Sequence, residues 1–233
     1  MDLFLEKVVY DGETTYSLTT AGNTAIVIIM VLALLMASFF TNKDNKSKLS
    51  VKQLTYSALC IALAFILSNI KLLKAPMGGS VTPLSMFIIT YIGYLYGPRV
   101  GISSALGYGF LQLIVDPYII SVPQLLCDYI LAFGALGIAG FFYNKKHGMV
   151  KGYLAGILGR YFFSVLSGVI FFGSYAPEGQ SPLVYSLLYN ISYIGIEAVI
   201  TLVIVLVPST TTVLKQIKVQ ANESSSKKAV NAA

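Results

Sequence analysis

Ala25-Ile-Val-Ile-Ile-Met-Val-Leu-Ala-Leu-Leu-Met-Ala-Ser-Phe-Phe40 is a continuous apolar run. A half-buried strand would alternate apolar and polar residues, and an outer-membrane barrel would show short alternating segments. A run without alternation fits a helix surrounded by hydrocarbon. The whole chain carries the same signature. Of its 233 residues, 56% are hydrophobic and 11% are charged, and its mean hydropathy is +0.75. A soluble domain is about 45–50% apolar and about 25% charged, so an ordinary cytosolic enzyme is excluded. Disorder needs low hydrophobicity and high charge, and is excluded too. The expected fold class is an all-α integral membrane protein. Cys60 and Cys127 both lie in apolar runs and read as buried reduced thiols.

A hydrocarbon core about 30 Å thick takes about 20 residues at helical rise. Seven stretches qualify: 22–40, 53–70, 81–97, 100–115, 119–143, 150–173 and 183–207. The third and fourth are short and are divided only by Pro98-Arg99. The chain then divides into an extracellular N-terminal segment (1–21), an extra transmembrane helix (22–40) and a basic cytoplasmic loop (41–52). A six-helix substrate-binding membrane domain (53–207) follows, and then a cytoplasmic tail expected to be disordered (208–233). Lysine and arginine in short loops set the orientation. Lys43, Lys46, Lys48 and Lys52 place 41–52 inside, and Arg99, then Lys145, Lys146 and Lys151, then the tail with Lys215 and Lys218 follow by alternation. Only Lys71 and Lys74 run against the rule. This membrane pattern accounts for the net charge of +6 without invoking nucleic acid. The expected location is the cell membrane, multi-pass, with the N-terminus outside and the C-terminus in the cytoplasm.

Ionisable groups within spans are costly and are functional candidates by default. Three stand out: Asp128, Arg160 and Glu197. Arg160 and Glu197 fall at similar depth and are expected to form a structural ion pair. That leaves Asp128, roughly 14 Å from the outer face at helical rise, without a protein cation. It can be protonated or hydrogen-bonded to tyrosine, or it can serve as counter-charge for a cationic ligand. Ser164, Gly168 and Phe172 share a stripe at i, i+4 and i+8. Plain helix packing through small residues would also explain that stripe. Tyr185, Tyr189, Asn190 and Tyr193 cluster near the outer end of the last span. The loop Ala75-Pro-Met-Gly-Gly-Ser80 is either a tight turn or a lid. These features converge on an outward pocket with a carboxylate, aromatic faces and polar donors. Such a pocket suits a flat, positively charged organic molecule. No Gly-x-x-x-x-Gly-Lys-[Ser/Thr] loop is present, so P-loop ATP hydrolysis by this chain is not expected. The single histidine, His147, sits beside Lys145 and Lys146, away from any nucleophile or metal partner.

Four ordered segments carry a resemblance. They are Ala58-Leu-Cys-Ile-Ala-Leu-Ala-Phe65; Ser121-Val-Pro-Gln-Leu-Leu-Cys-Asp-Tyr129 with Leu136-Gly-Ile-Ala-Gly-Phe-Phe142; Arg160-Tyr-Phe-Phe-Ser-Val-Leu-Ser-Gly-Val-Ile-Phe-Phe172; and Tyr185-Ser-Leu-Leu-Tyr-Asn190. From about Gln53 to Val207 the chain resembles the S component of an energy-coupling factor vitamin transporter, thiamine-specific type. The resemblance implies a six-helix S-component-like bundle, here with one extra N-terminal transmembrane helix. It implies capture of thiamine from outside and docking on a transmembrane coupling subunit driven by two cytoplasmic ATPases. No cofactor is expected in this chain; ATP would be used by the partners. The implied ligand-binding positions are Asp128, Tyr129, Ser164, Gly168, Phe172, Tyr185 and Asn190, and the implied docking pattern is Ala58 and Ala62.

The departures are specific. The family has Glu where Asp128 stands, His at Ser164 and Trp at Phe172, and an acid is missing from Gly79-Ser-Val-Thr82 and Pro83. A thiamine precursor or another flat vitamin therefore stays open. So does a self-sufficient secondary transporter using Asp128, Arg160 and Glu197 as an ion path. An enzyme acting on lipid lacks an identifiable nucleophile–base pair, and the chain is expected not to be an enzyme.

Overall fold

The computed structural model describes residues 3–10, 13–22, 24–25, 28 and 50–230. Most of the expected span 22–40 and most of the loop 41–52 lie outside the described residues. Near the N-terminus, strands β1 (Leu5–Tyr10) and β2 (Glu13–Leu18) pair as an antiparallel hairpin. Helix α1 (Val51–Ser68) starts at a reciprocal cap. Ser50 Oγ accepts from Gln53 N at 3.1 Å, and Gln53 Oε1 accepts from Ser50 N at 3.0 Å, so two donors at the helix start are satisfied. The short strands β3 (Leu73–Lys74) and β4 (Ser80–Val81) then bracket the loop 75–79. Five helices follow: α2 (Ser85–Tyr96), α3 (Pro98–Val115), α4 (Val122–Phe142), α5 (Gly148–Phe171) and α6 (Pro182–Leu206).

The protein is a multi-pass helical membrane protein. Among the described residues, α1, α4, α5 and α6 are long and apolar enough to cross a bilayer. Helix α2 is apolar but has only 12 residues, about 18 Å at helical rise. It is buried inside the bundle, with Ile89 and Ile92 fully covered and Leu95 1% exposed. The chain reverses between α2 and α3 at Gly97, whose φ of 86° favours glycine. Pro98 opens α3, where its missing N–H costs nothing. This is the boundary expected at Pro98-Arg99. Both cysteines are free thiols.

Helices α2, α3 and α4 meet through glycines. A Cβ on Gly93 would lie 2.7 Å from Gly140 N, one on Gly101 2.7 Å from Gly93 Cα, and one on Gly140 would overlap Pro98 Cα. Backbone therefore rests on backbone, the close approach that small residues allow in membranes. Gly140→Ala is expected to cost about 1–3 kcal/mol through forced helix separation. Gly107→Ala, where nothing lies within 4 Å of the added carbon, should be tolerated. A thermal-shift comparison of the two in detergent checks this; equal shifts would contradict the crossing.

The tail expected to be disordered is instead helical over Pro208–Val230 (α7). Its average composition is polar, but Leu214, Ile217 and Ala221 recur at helical spacing and pack on the core. Tyr91 Oη donates to Leu214 O at 2.6 Å, and Asn222 Nδ2 donates to Leu95 O at 3.3 Å. The Lys218 ammonium sits 3.7 Å from the Tyr94 ring centroid. Burial pushes its pKa down to about 8.

Candidate functional site

A cavity opens where α4, α5 and α6 converge beneath loop 75–79. All seven residues singled out as ligand contacts line it: Asp128 and Tyr129 from α4, Ser164 and Gly168 from α5 with Phe172 at its end, and Tyr185 and Asn190 from α6. Two of these helices widen into π-turns at the site, over Leu126–Leu131 and Ile191–Gly195. Such turns break the regular helical stagger and often mark functional positions. The first carries Asp128 and Tyr129 into the cavity wall. The second follows Asn190 and carries Tyr193, another lining residue.

Asp128 Oδ2 accepts from Gln124 Nε2 at 2.6 Å. The neighbouring Tyr129 hydroxyl donates to Asp116 O at 3.0 Å and accepts from Tyr118 N at 2.7 Å. Its hydroxyl thus braces the segment 116–118, while its ring stacks at 6.3 Å on Phe133. Asn190 is a cross-brace. Its Nδ2 donates to Ser186 O at 2.9 Å and to Ser164 O at 3.3 Å, and its Oδ1 accepts from Tyr193 Oη at 2.7 Å. A Cβ on Gly168 would overlap Ser186 Oγ. Gly168 therefore serves close contact between α5 and α6 as well as lining the cavity.

The expected ion pair of Arg160 with Glu197 is not formed. Among the described residues the one salt bridge joins Lys71 and Asp116. Glu197 is 2% exposed, and both its oxygens are engaged at the start of α2. Oε2 accepts from Thr82 N at 2.9 Å and Thr82 Oγ1 at 2.8 Å. Oε1 accepts from Met86 N at 3.3 Å and Ser85 Oγ at 3.4 Å. A helix N-terminus offers unpaired N–H groups and partial positive charge, and here it replaces the arginine. This also puts a carboxylate beside Thr82, in the stretch 79–83 that has no acid of its own. Arg160 lies in the same cavity with its guanidinium carbon 4.0 Å from the Phe133 ring centroid, a cation–π contact. Its Nε is buried and has no hydrogen-bond partner.

Loop 75–79 covers the cavity. The Tyr189 hydroxyl donates to Pro76 O and accepts from Gly79 N at 3.2 Å. Tyr185 Oη lies 3.6 Å from Met77 Sδ. The Tyr118 ring stacks at 6.0 Å on Phe172. The ion pair of Lys71 with Asp116 also borders the cavity, and it offsets one of the two lysines that ran against the orientation rule. The charged lining residues are Asp116, Asp128 and Glu197 against Lys71 and Arg160, a formal excess of one negative charge. Tyr193, expected in the outward cluster, lines the cavity, whereas Gln124, Tyr118, Thr82 and Ser85 were not expected in the wall. Gln124 could have been found, since it lies four residues before Asp128 on a helix. On α1, Ala58 and Ala62 are exposed, beside the exposed Leu59 and Leu63. They are not used in packing among the described helices.

Comparison with known proteins gives concordant matches. The family described as "Thiamine transporter protein (Thia_YuaJ)" matches residues 54–217. Thiamine transporter ThiT of Bacillus subtilis is 37% identical over 165 residues, covering 64% of this chain and 85% of that protein. Thiamine transporter ThiT of Lacticaseibacillus paracasei is 29% identical over 115 residues, covering 42% of this chain and 57% of that one. A solved structure of ThiT from Listeria monocytogenes superposes with a TM-score of 0.57 at 24% identity. It covers 70% of this chain and 96% of its own, so the two share a fold.

Proposed function

The chain belongs to the thiamine transporter protein family, and on that premise we propose that it is the substrate-capture component of an ATP-driven thiamine importer. The observation that carries the reading is the cavity itself. Its lining holds a formal excess of one negative charge and several aromatic rings, and thiamine carries two flat rings, one of them with a quaternary positive charge. In this reading Asp128 faces the thiazolium cation or the aminopyrimidine. Tyr129, Phe172 and Tyr185 bracket the rings, and Ser164 and Asn190 supply hydrogen bonds. Desolvated attraction between ring faces and a cation adds to the pairing at Asp128.

The chain has no P-loop motif, so the energy for uptake comes from partners: a transmembrane coupling subunit and two cytoplasmic ATPases. The exposed strip of Ala58 and Ala62 on α1 is the docking surface in this reading, because small side chains let a second helix approach closely. The lysine distribution orients the cavity outward, with the C-terminus in the cytoplasm. Thiamine uptake by cells unable to make thiamine tests the proposal. Uptake is expected only when this chain is expressed with a coupling subunit and both ATPases. Uptake into vesicles that contain this chain alone, driven by a proton gradient, would replace the proposal with secondary transport. In that case Asp128, Arg160 and Glu197 would form the ion path.

A further inference from the structure

The Gln124 side chain is 1% exposed, and each of its polar groups is committed. Nε2 donates to Asp128 Oδ2 at 2.6 Å and to Tyr118 O at 3.0 Å. Oε1 accepts from Ile120 N at 3.2 Å. Only one orientation of the amide satisfies this set. Turned over, its oxygen would face a carboxylate and a carbonyl, and its NH2 would face a backbone N–H. The backbone of Gln124 is fixed as well, since its N–H donates to Ser121 Oγ at 3.3 Å at the start of α4.

We propose that Gln124 is the positioning residue for Asp128: it fixes the carboxylate at the cavity wall without neutralising it, and so sets the site's preference for a positively charged ring. This rests on the thiamine reading above. A buried carboxylate needs a donor, and two kinds are available. A cationic donor would pair with it and cancel the charge a ligand could use. A neutral amide satisfies one oxygen and leaves the negative charge in place. Arg160, the cation in the same cavity, sits on the Phe133 ring and makes no salt bridge with Asp128, so it acts on the carboxylate only at a distance. The same amide also holds Tyr118 O, and the Tyr118 ring stacks on Phe172. One side chain therefore holds both the carboxylate and, together with the Tyr129 hydroxyl, one aromatic wall.

The test is calorimetric titration of the full chain in detergent with two probes. One is thiamine. The other is its neutral analogue, in which a carbon replaces the quaternary nitrogen of the sulfur ring. Gln124→Met is expected to weaken thiamine at least about ten-fold, the cost of a lost bond to a charged group, and the neutral analogue less than about three-fold. In an Asp128→Asn background, Gln124→Met should cost less than about three-fold, because coupled residues are not additive. Equal losses for both probes, or additive losses in the double variant, would overturn the proposal by reducing Gln124 to a structural brace. If Gln124→Met does not fold, Gln124→Glu keeps the acceptor for Ile120 N. Two carboxyl groups at that distance share a proton, and a cation releases it, so thiamine affinity of this variant should rise with pH more steeply than wild type. A parallel pH profile would overturn the proposal. Failure of the wild-type chain to bind thiamine would sink the function reading instead, so the two failures are distinguishable.

Discussion

Asp128→Asn is expected to weaken thiamine binding by about 1.5–3 kcal/mol, roughly 10- to 150-fold, because a charge-assisted contact is lost while the shape is kept. The substitution preserves an acceptor for Gln124, so the helix should be undisturbed. Asp128 lies in the π-turn Leu126–Leu131 and has its Oδ2 held at 2.6 Å by Gln124. The remaining function of the carboxylate in this reading is its charge. Equilibrium binding measured on the purified variant checks the expectation. Unchanged affinity would remove Asp128 from the ligand site.

The second large effect falls on stability. Glu197→Gln replaces an acceptor-only group by an isosteric amide, yet it should destabilise the bundle by about 2–3 kcal/mol. Both Glu197 oxygens face backbone N–H groups, Thr82 N at 2.9 Å and Met86 N at 3.3 Å. An amide has one oxygen, so its NH2 must point at one of those donors. Glu197→Ala should cost at least as much. Arg160→Gln should cost less, since Arg160 contributes a ring contact with Phe133 and no bond to Glu197. A thermal-shift series of these three variants decides between the helix-cap role and an ion pair with Arg160. Equal losses at Arg160 and Glu197 would favour the pair.

That contrast shows what the sequence could and could not carry. Depth counted from span ends placed Arg160 and Glu197 at one level, and buried charges usually pair. The partner that Glu197 actually uses is the start of α2, which depends on where loop 75–79 ends and on the reversal at Gly97. No side-chain pattern announces a backbone partner. The stripe Ser164, Gly168 and Phe172 was legible because α5 is regular over Gly148–Phe171, so a period of four holds along it. Asp128 and Tyr129 were legible as residue types, but the π-turn that carries them was not. A glutamine in an apolar run has no charge to flag it, so Gln124 is legible only through its spacing of four residues to Asp128. The polar mean composition of the tail hides three apolar residues at helical spacing. The exposure of Ala58 and Ala62 fits the proposed surface for a partner helix.

Titration of thiamine into the detergent-purified chain alone, by calorimetry, tests the central claim most directly. Riboflavin and the isolated thiamine pyrimidine serve as controls. The method does not depend on tryptophan, which the chain lacks. The expected result is one site per chain at near-nanomolar affinity, about −12 kcal/mol, with no heat from riboflavin and much weaker binding of the pyrimidine. No binding of thiamine by folded protein would contradict the claim, and binding of the pyrimidine in preference to thiamine would keep the cavity and replace its ligand.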